Sequence, residues 1–204
     1  MARAAILPKL FGPPLEESDH RWFKTMWRGR TVLARGLRRF SALTFNEFKH
    51  FLDDDFPSRF RKDTPQRFSE LFYAAAFRNA GWQPIDRVTG FDFAFAIPSG
   101  GRLLVEVSTP DPQTKDTWRE EQIGPVLSVS GDGKSKDAAL LRLTTAFAAK
   151  ESIIRDVVQK GRATSADYKV IAISGVRISQ EARISISANG NPLTCPRMFG
   201  PEVA

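Results

Sequence analysis

The strongest constraint on the fold is a pair of strand-like runs around a tight turn, FDFAFAIPSGGRLLVEVST at residues 91–109. Large and small residues alternate in the first run, and the second run is almost entirely apolar. Each run carries one carboxylate, Asp92 in the first and Glu106 in the second. An unpaired buried carboxylate is costly, so such a group needs a partner, a proton or a metal ion. The hairpin therefore predicts a sheet with two partly buried acids.

The length of the turn decides whether the two acids share a face of this hairpin. A two-residue turn at Ser99-Gly100 would place Glu106 on the face opposite Asp92, whereas a three-residue loop pairs Asp92 with Glu106 or with Ser108. Such loops favour a glycine with positive φ, and two adjacent glycines are present. We predict the three-residue loop. Two carboxylates on one face repel unless a cation lies between them, which indicates a divalent-metal site.

The segments around the hairpin predict an α/β domain with a mixed central β-sheet flanked by helices. The sequence divides into a basic, mostly helical N-terminal extension at 1–64, an α/β core at 65–189 and an irregular C-terminal tail at 190–204. Thr44 is the expected N-cap of a helix at 43–53. Further helices are predicted at 65–81 and 136–160, and strands at 90–97, 102–109, 125–129, 168–175 and 182–189.

Two charged residues interrupt apolar helix faces. Glu70 is either a surface glutamate, favoured by the dipole of the first helical turns, or an inward carboxylate with a chemical role. Lys150 either extends to solvent along its aliphatic stem or points at the sheet, where it needs a carboxylate or a phosphate. Arg142 lies at the edge of the same stripe and could bind a phosphate with two hydrogen bonds. The stripe is Leu143, Phe147, Ile154 and Val158, with Ala146 and Val157 alongside.

Positive charge is concentrated near the N-terminus of a chain whose net charge is +7. Residues 21–40, RWFKTMWRGRTVLARGLRRF, contain seven basic residues, four aromatics and no acid. This mixture suits phosphate contact with base stacking, so the candidate nucleic-acid-binding residues are Trp27, Arg28, Arg30, Arg38 and Arg39. The alternative is a solvated helix whose aromatic side chains pack on the main domain.

Several other classes of protein are not expected. No apolar run approaches the length of about 18 residues that a membrane span needs, and the N-terminus does not resemble a signal peptide. The single cysteine, Cys195, points to a reducing compartment, and we expect a cytoplasmic protein. With two histidines 30 residues apart, a zinc site is not expected, so a metal would be held by oxygen ligands.

A helix glutamate (Glu70), an aspartate on one strand (Asp92) and a glutamate on the next (Glu106) resemble the PD-(D/E)XK nuclease superfamily, which has the restriction-endonuclease-like fold. The resemblance covers roughly residues 50–175. RFSELFYAAAFRNAGW, the hairpin, LRLTTAFAAKESIIRDVVQKG and YKVIAISG are similar to one group within it, where a helix lysine follows an arginine as Lys150 follows Arg142. Members of that group continue beyond such a strand, which leaves open whether 176–204 is a shortened end.

The resemblance implies a restriction-endonuclease-like core and metal-dependent hydrolysis of a phosphodiester bond in nucleic acid. Asp92, Glu106 and the Val107 carbonyl would bind Mg²⁺ or Mn²⁺, with Glu70 holding the attacking water. The chain departs from the pattern at Ser108, which replaces the usual lysine of Glu-x-Lys. Lys150 is the expected substitute in catalysis.

The alternative is a catalytically inactive nuclease fold that binds nucleic acid or a protein partner. DNA is favoured over RNA as the partner, no membrane association is expected, and a homodimer is left open.

Overall fold

The computed structural model describes residues 9–12, 14–98, 100–110, 119–123, 126–130, 133–175, 187–188 and 191–192, with side chains for 10–110 (without 13 and 99) and 140–175. The chain divides into two compact units. The first unit comprises Met1–Val107 and Ile153–Ala172, and the second comprises Ser108–Ser152 and Ile173–Ala204. Among the described residues, no helix is both long enough and apolar enough to cross a membrane.

Five α-helices lie within the described residues. A 3₁₀ turn at Lys9–Phe11 precedes them. They are α1 (Arg21–Arg28), α2 (Val32–Phe48), α3 (Phe56–Lys62), α4 (Thr64–Asn79) and α5 (Gly133–Gln159). The predictions of α4 and α5 are therefore confirmed to within a few residues.

The predicted helix at 43–53 is wrong. One helix, α2, runs from Val32 to Phe48, and its N-cap is Thr31, which accepts a hydrogen bond from the Ala34 N–H at 3.0 Å. Thr44 lies inside this helix and is buried. Tertiary packing overrides the local capping preference here, because one continuous helix places Phe45 in the core of the N-terminal helices and Phe48 in the core on the sheet.

The described strands form three sheets. Four of them, β1 (Gln83–Ile85), β2 (Phe93–Ala96), β3 (Arg102–Ser108) and β6 (Tyr168–Ile173), make one sheet in the order β1-β2-β3-β6. The other two sheets pair β4 (Arg119–Ile123) with β5 (Val126–Ser130), and β7 (Ser187–Ala188) with β8 (Asn191–Pro192). The strand predicted at 125–129 is confirmed as β5, whereas most of that at 182–189 and most of the tail lie outside the described residues.

The four-stranded sheet is mixed. β1 and β2 are antiparallel, as are β2 and β3. β3 and β6 are parallel neighbours, because Arg102 at the start of β3 pairs with Asp167 just before β6. The carbonyl of Ser108, the last residue of β3, accepts from the N–H of Ser174, just after β6. The expected mixed sheet flanked by helices is confirmed.

Helices cover both faces of this sheet within the first unit. On one face, Val105 and Phe93 pack with Phe48 of α2 and Ala74 of α4. On the other face, Leu104 and Ala94 pack with residues near the end of α5. A third core lies among the N-terminal helices and includes Leu71 of α4, so α1, α2 and α3 share apolar packing with α4.

Candidate metal centre

The hairpin has the predicted three-residue loop. Phe93 faces Val105 and Ala96 faces Arg102, and the Ile97 N–H donates to the Gly101 carbonyl at 3.2 Å. The loop therefore spans residues 98–100, and its register, continued by one position, places Asp92 across from Glu106.

Asp92, however, does not continue the ladder. β2 begins at Phe93, and the Asp92 N–H donates to Val105 at 2.9 Å, the residue that already faces Phe93. Phe91 belongs to the same core as Ala94, although regular alternation would place the two on opposite faces. This two-against-one arrangement is a bulge. It brings Asp92 Oδ2 to 2.8 Å from the backbone nitrogen of Val107, near the C-terminal end of β3.

That Asp92 and Glu106 share one strand face stays a prediction, because the bulge takes Asp92 out of the regular ladder. Val105 and Val107 lie in the core on the α4 side, so strand alternation places Glu106, 7% exposed, on the opposite face. The Asp92 carboxylate lies instead beside the Val107 backbone, because the bulge displaces it from the ladder.

Glu70 is an inward carboxylate on α4, as one of the two alternatives predicted. It is 2% exposed. One nitrogen of Arg67, Nη1, donates to both of its oxygens, at 3.0 Å to Oε1 and 2.8 Å to Oε2. The Arg67 guanidinium lies 5.9 Å from the centroid of the Phe56 ring, which restricts its position.

Gln66 connects Glu70 to the C-terminal end of β3. Its Nε2 donates to Glu70 Oε1 at 2.8 Å and to the Val107 carbonyl at 3.2 Å. Val107 thus contacts Gln66 through its carbonyl and Asp92 through its N–H. Glu70, Asp92 and Val107, three of the expected metal-binding residues, are brought together in the first unit.

The electrostatics of this group favour a positive charge. Burial raises the pKa of Glu70 to about 7, and the negative charge of Asp92 adds to that effect. Arg67 and Gln66 act in the opposite direction but do not cancel it. A buried carboxyl with this pKa is stabilised by any cation that replaces its lost hydration.

The donor set fits a hard divalent cation in chemistry, because it offers two carboxylates and a backbone carbonyl as oxygen ligands. It is not a ready-made cage. Across the described part of the chain, no group of three or more His, Cys, Asp or Glu side chains is placed to hold a metal ion.

The other two expected groups, Lys150 and Arg142, lie in the part of α5 that belongs to the second unit. Both are half-buried. The apolar stripe on this helix is confirmed at Leu143, Ile154 and Val157, whereas Val158, also expected in it, is 38% exposed. The catalytic role of Lys150 stays a prediction.

The basic stretch at 21–40 divides between structural and exposed residues. Phe23 is fully buried and stacks on Phe11, so this aromatic packs on the domain and is not presented for base stacking. Arg38 donates to the carbonyl of the half-buried Trp27 at 2.9 Å. Among the candidate nucleic-acid-binding residues, the side chains that are exposed are Arg28, Arg30 and Arg39.

Sequence reasoning did not single out Gln66 or Arg67. The signal that could have found them is their spacing. Gln66 and Arg67 precede Glu70 by four and three residues, which places all three on neighbouring positions of one helical surface. A buried glutamate on a helix therefore directs attention to polar residues at those two positions.

Comparison with protein-family models, with curated proteins and with solved structures finds no match to this chain.

Proposed function

We propose that this protein is a metal-dependent nuclease that hydrolyses phosphodiester bonds in nucleic acid, with DNA as the preferred substrate. The observation that carries the proposal is the meeting of buried Glu70 and Asp92 at the Val107 backbone, where the pKa of Glu70 is raised to about 7. Two acids held together in a place that favours a cation are typical of sites that bind divalent metals.

In this proposal Asp92, Glu106 and the Val107 carbonyl hold Mg²⁺ or Mn²⁺. A cation bound there supplies positive charge that offsets the negative charge of the scissile phosphate. Glu70 accepts the proton of the attacking water, since a carboxylate with a pKa near neutral is suited to act as a general base. Ser108 replaces the lysine of the Glu-x-Lys pattern, and in this proposal Lys150 takes over its role of stabilising the developing negative charge. The water oxygen bonds to phosphorus as the bond from phosphorus to the 3′ oxygen breaks, and the 3′ oxygen takes a proton from solvent, which leaves a 5′-phosphate and a 3′-hydroxyl.

Neutralising the acids one at a time tests the proposal. Asp92→Asn keeps an oxygen that can accept from the Val107 N–H, and Glu106→Gln preserves the size of the side chain. Each is expected to lower Mg²⁺-dependent cleavage of labelled DNA by at least about 100-fold, because charge at the reacting phosphate is a large part of catalysis. The matched control is Asp54→Asn, an exposed aspartate that should leave cleavage unchanged. Full activity in either site variant contradicts the proposal.

A second candidate function is favoured by Ser108 and by the lack of a ready-made metal cage among the described residues. In it the protein binds nucleic acid through Arg28, Arg30 and Arg39 without cleaving it. Binding that is unaffected by Mg²⁺ and by Asp92→Asn, together with no cleavage, would select this function.

A further inference from the structure

The side chain of Gln66 occupies the space between two of the oxygens assigned above to the metal centre. Its Nε2 lies 2.8 Å from Glu70 Oε1 and 3.2 Å from the Val107 carbonyl oxygen. Both partners are acceptors, so the amide must present its NH₂ group, which fixes its orientation. A single nitrogen therefore uses both of its protons on the site.

The geometry points to Gln66 as a gate residue that closes the metal centre in the absence of a cation. The amide donates to the oxygens that a divalent ion would otherwise neutralise, so ion binding requires Gln66 to release the Val107 carbonyl. This inference rests on the proposed function, and it adds a residue that controls how readily the site takes up its metal.

Two features of the structure support a gate over a purely structural glutamine. The longer of its two bonds, at 3.2 Å, is the one to the expected metal ligand, so it is the bond more easily broken. Glu70 retains two bonds from Arg67 when Gln66 moves, and its carboxylate stays oriented.

Removing the amide tests the inference. Gln66→Met keeps a similar length and shape but has no N–H, so the Val107 carbonyl is left open. Because the cation no longer displaces a hydrogen bond, the Kd for Mn²⁺ is expected to fall by about threefold to tenfold. The Kd is measured with the full chain by titration, following free Mn²⁺ by electron paramagnetic resonance.

Controls separate this inference from the proposed function. Gln159→Met makes the same change at an exposed position near the end of α5 and should leave the Kd unchanged. Asp92→Asn should weaken Mn²⁺ binding in the presence and in the absence of the Gln66→Met change. If Gln66→Met does not fold, judged by circular dichroism, Gln66→Asn replaces it. Its shorter side chain cannot span both oxygens, and the same tightening is expected.

The outcomes are distinct. Tighter binding in the Gln66 variant, with the control unchanged, supports the gate. An unchanged or higher Kd, while Asp92→Asn still weakens binding, overturns the gate and leaves the proposed function intact. Failure of every form, including the natural sequence, to bind Mn²⁺ through Asp92 overturns both.

Discussion

At the scale of single residues, Glu70 differs most from an ordinary member of its type. It is buried, it accepts two hydrogen bonds from Arg67 and one from Gln66, and the pKa of its carboxyl is nevertheless raised to about 7. The loss of hydration on burial, together with the charge of Asp92, raises this pKa by more than the hydrogen bonds and the charge of Arg67 lower it. A group with a folded-state pKa above its unfolded value of 4.5 favours the folded state at low pH.

The stability of the protein should therefore depend on pH through Glu70. The contribution of Glu70 to the free energy of unfolding is most favourable below about pH 4.5 and is lost as the pH rises towards about 7. Glu70→Gln, which cannot ionise, should raise the free energy of unfolding above pH 7 by up to about 3 kcal/mol relative to the natural sequence. Near pH 4.5 the difference should be smallest.

The measurement is urea denaturation at a series of pH values, with Glu17→Gln as the control at an exposed glutamate. A difference between Glu70→Gln and the natural sequence that is constant across pH 4.5 to 8 would contradict the raised pKa.

At the scale of elements, the bulge before β2 places Asp92 beside the C-terminal end of β3. Gly90, two residues earlier, has φ of +100°, and a Cβ there would lie 2.4 Å from Val157 Cγ2 on α5. The chain thus passes too close to α5 for any side chain. Glycine at this position lets the backbone turn into the bulge while Phe91 packs beneath it.

Gly90→Ala should destabilise the protein by about 2–4 kcal/mol, through backbone strain and collision with Val157 together. Gly81→Ala is a matched control, because Gly81 also has positive φ, +93°, but a Cβ there meets nothing within 4 Å. Gly81→Ala should show only the backbone strain. Adding Val157→Ala to Gly90→Ala should partly restore stability.

Denaturation midpoints and slopes report these differences in the free energy of unfolding. Equal losses of stability at the two glycines would refute a tight passage at Gly90.

At the scale of the whole molecule, the surplus of positive charge concerns association with a polyanion. Three exposed arginines, Arg28, Arg30 and Arg39, come from one end of α1, the turn after it and the middle of α2. If they contact phosphates, replacing all three by glutamine should weaken DNA binding and reduce the steepness of log K against log salt by about 3.

The salt dependence is measured by fluorescence anisotropy with a labelled duplex. Substitution of Arg59, an exposed arginine paired with Asp55 at 2.6 Å, serves as the control and should leave the slope unchanged. An unaltered slope in the triple variant would exclude these arginines as phosphate contacts.

Much of the first unit follows from local sequence patterns. Alternation and the two glycines set the hairpin register, and the apolar surface of α4 predicts the burial of this helix, whereas for Glu70 an inward position was one of two alternatives. The bulge at Asp92 could not be predicted, because it lies beside a close approach of Gly90 to Val157, which are distant in the chain. The same holds for the Gln66 contact with Val107, which joins a helix to a strand.

β1 was also missed, since its three residues include Pro84 and show no alternation long enough to recognise. α2 was divided wrongly because Thr44 has the local character of a cap, although the core around Phe45 requires a continuous helix.

The most direct test of the metal centre is the anomalous difference map of a crystal soaked in Mn²⁺. The proposed site predicts one strong peak bonded to the Asp92 and Glu106 carboxylates and to the Val107 carbonyl oxygen, with Gln66 turned away from that carbonyl. A fully occupied peak elsewhere, with Gln66 still bonded to both Glu70 and Val107, would contradict it.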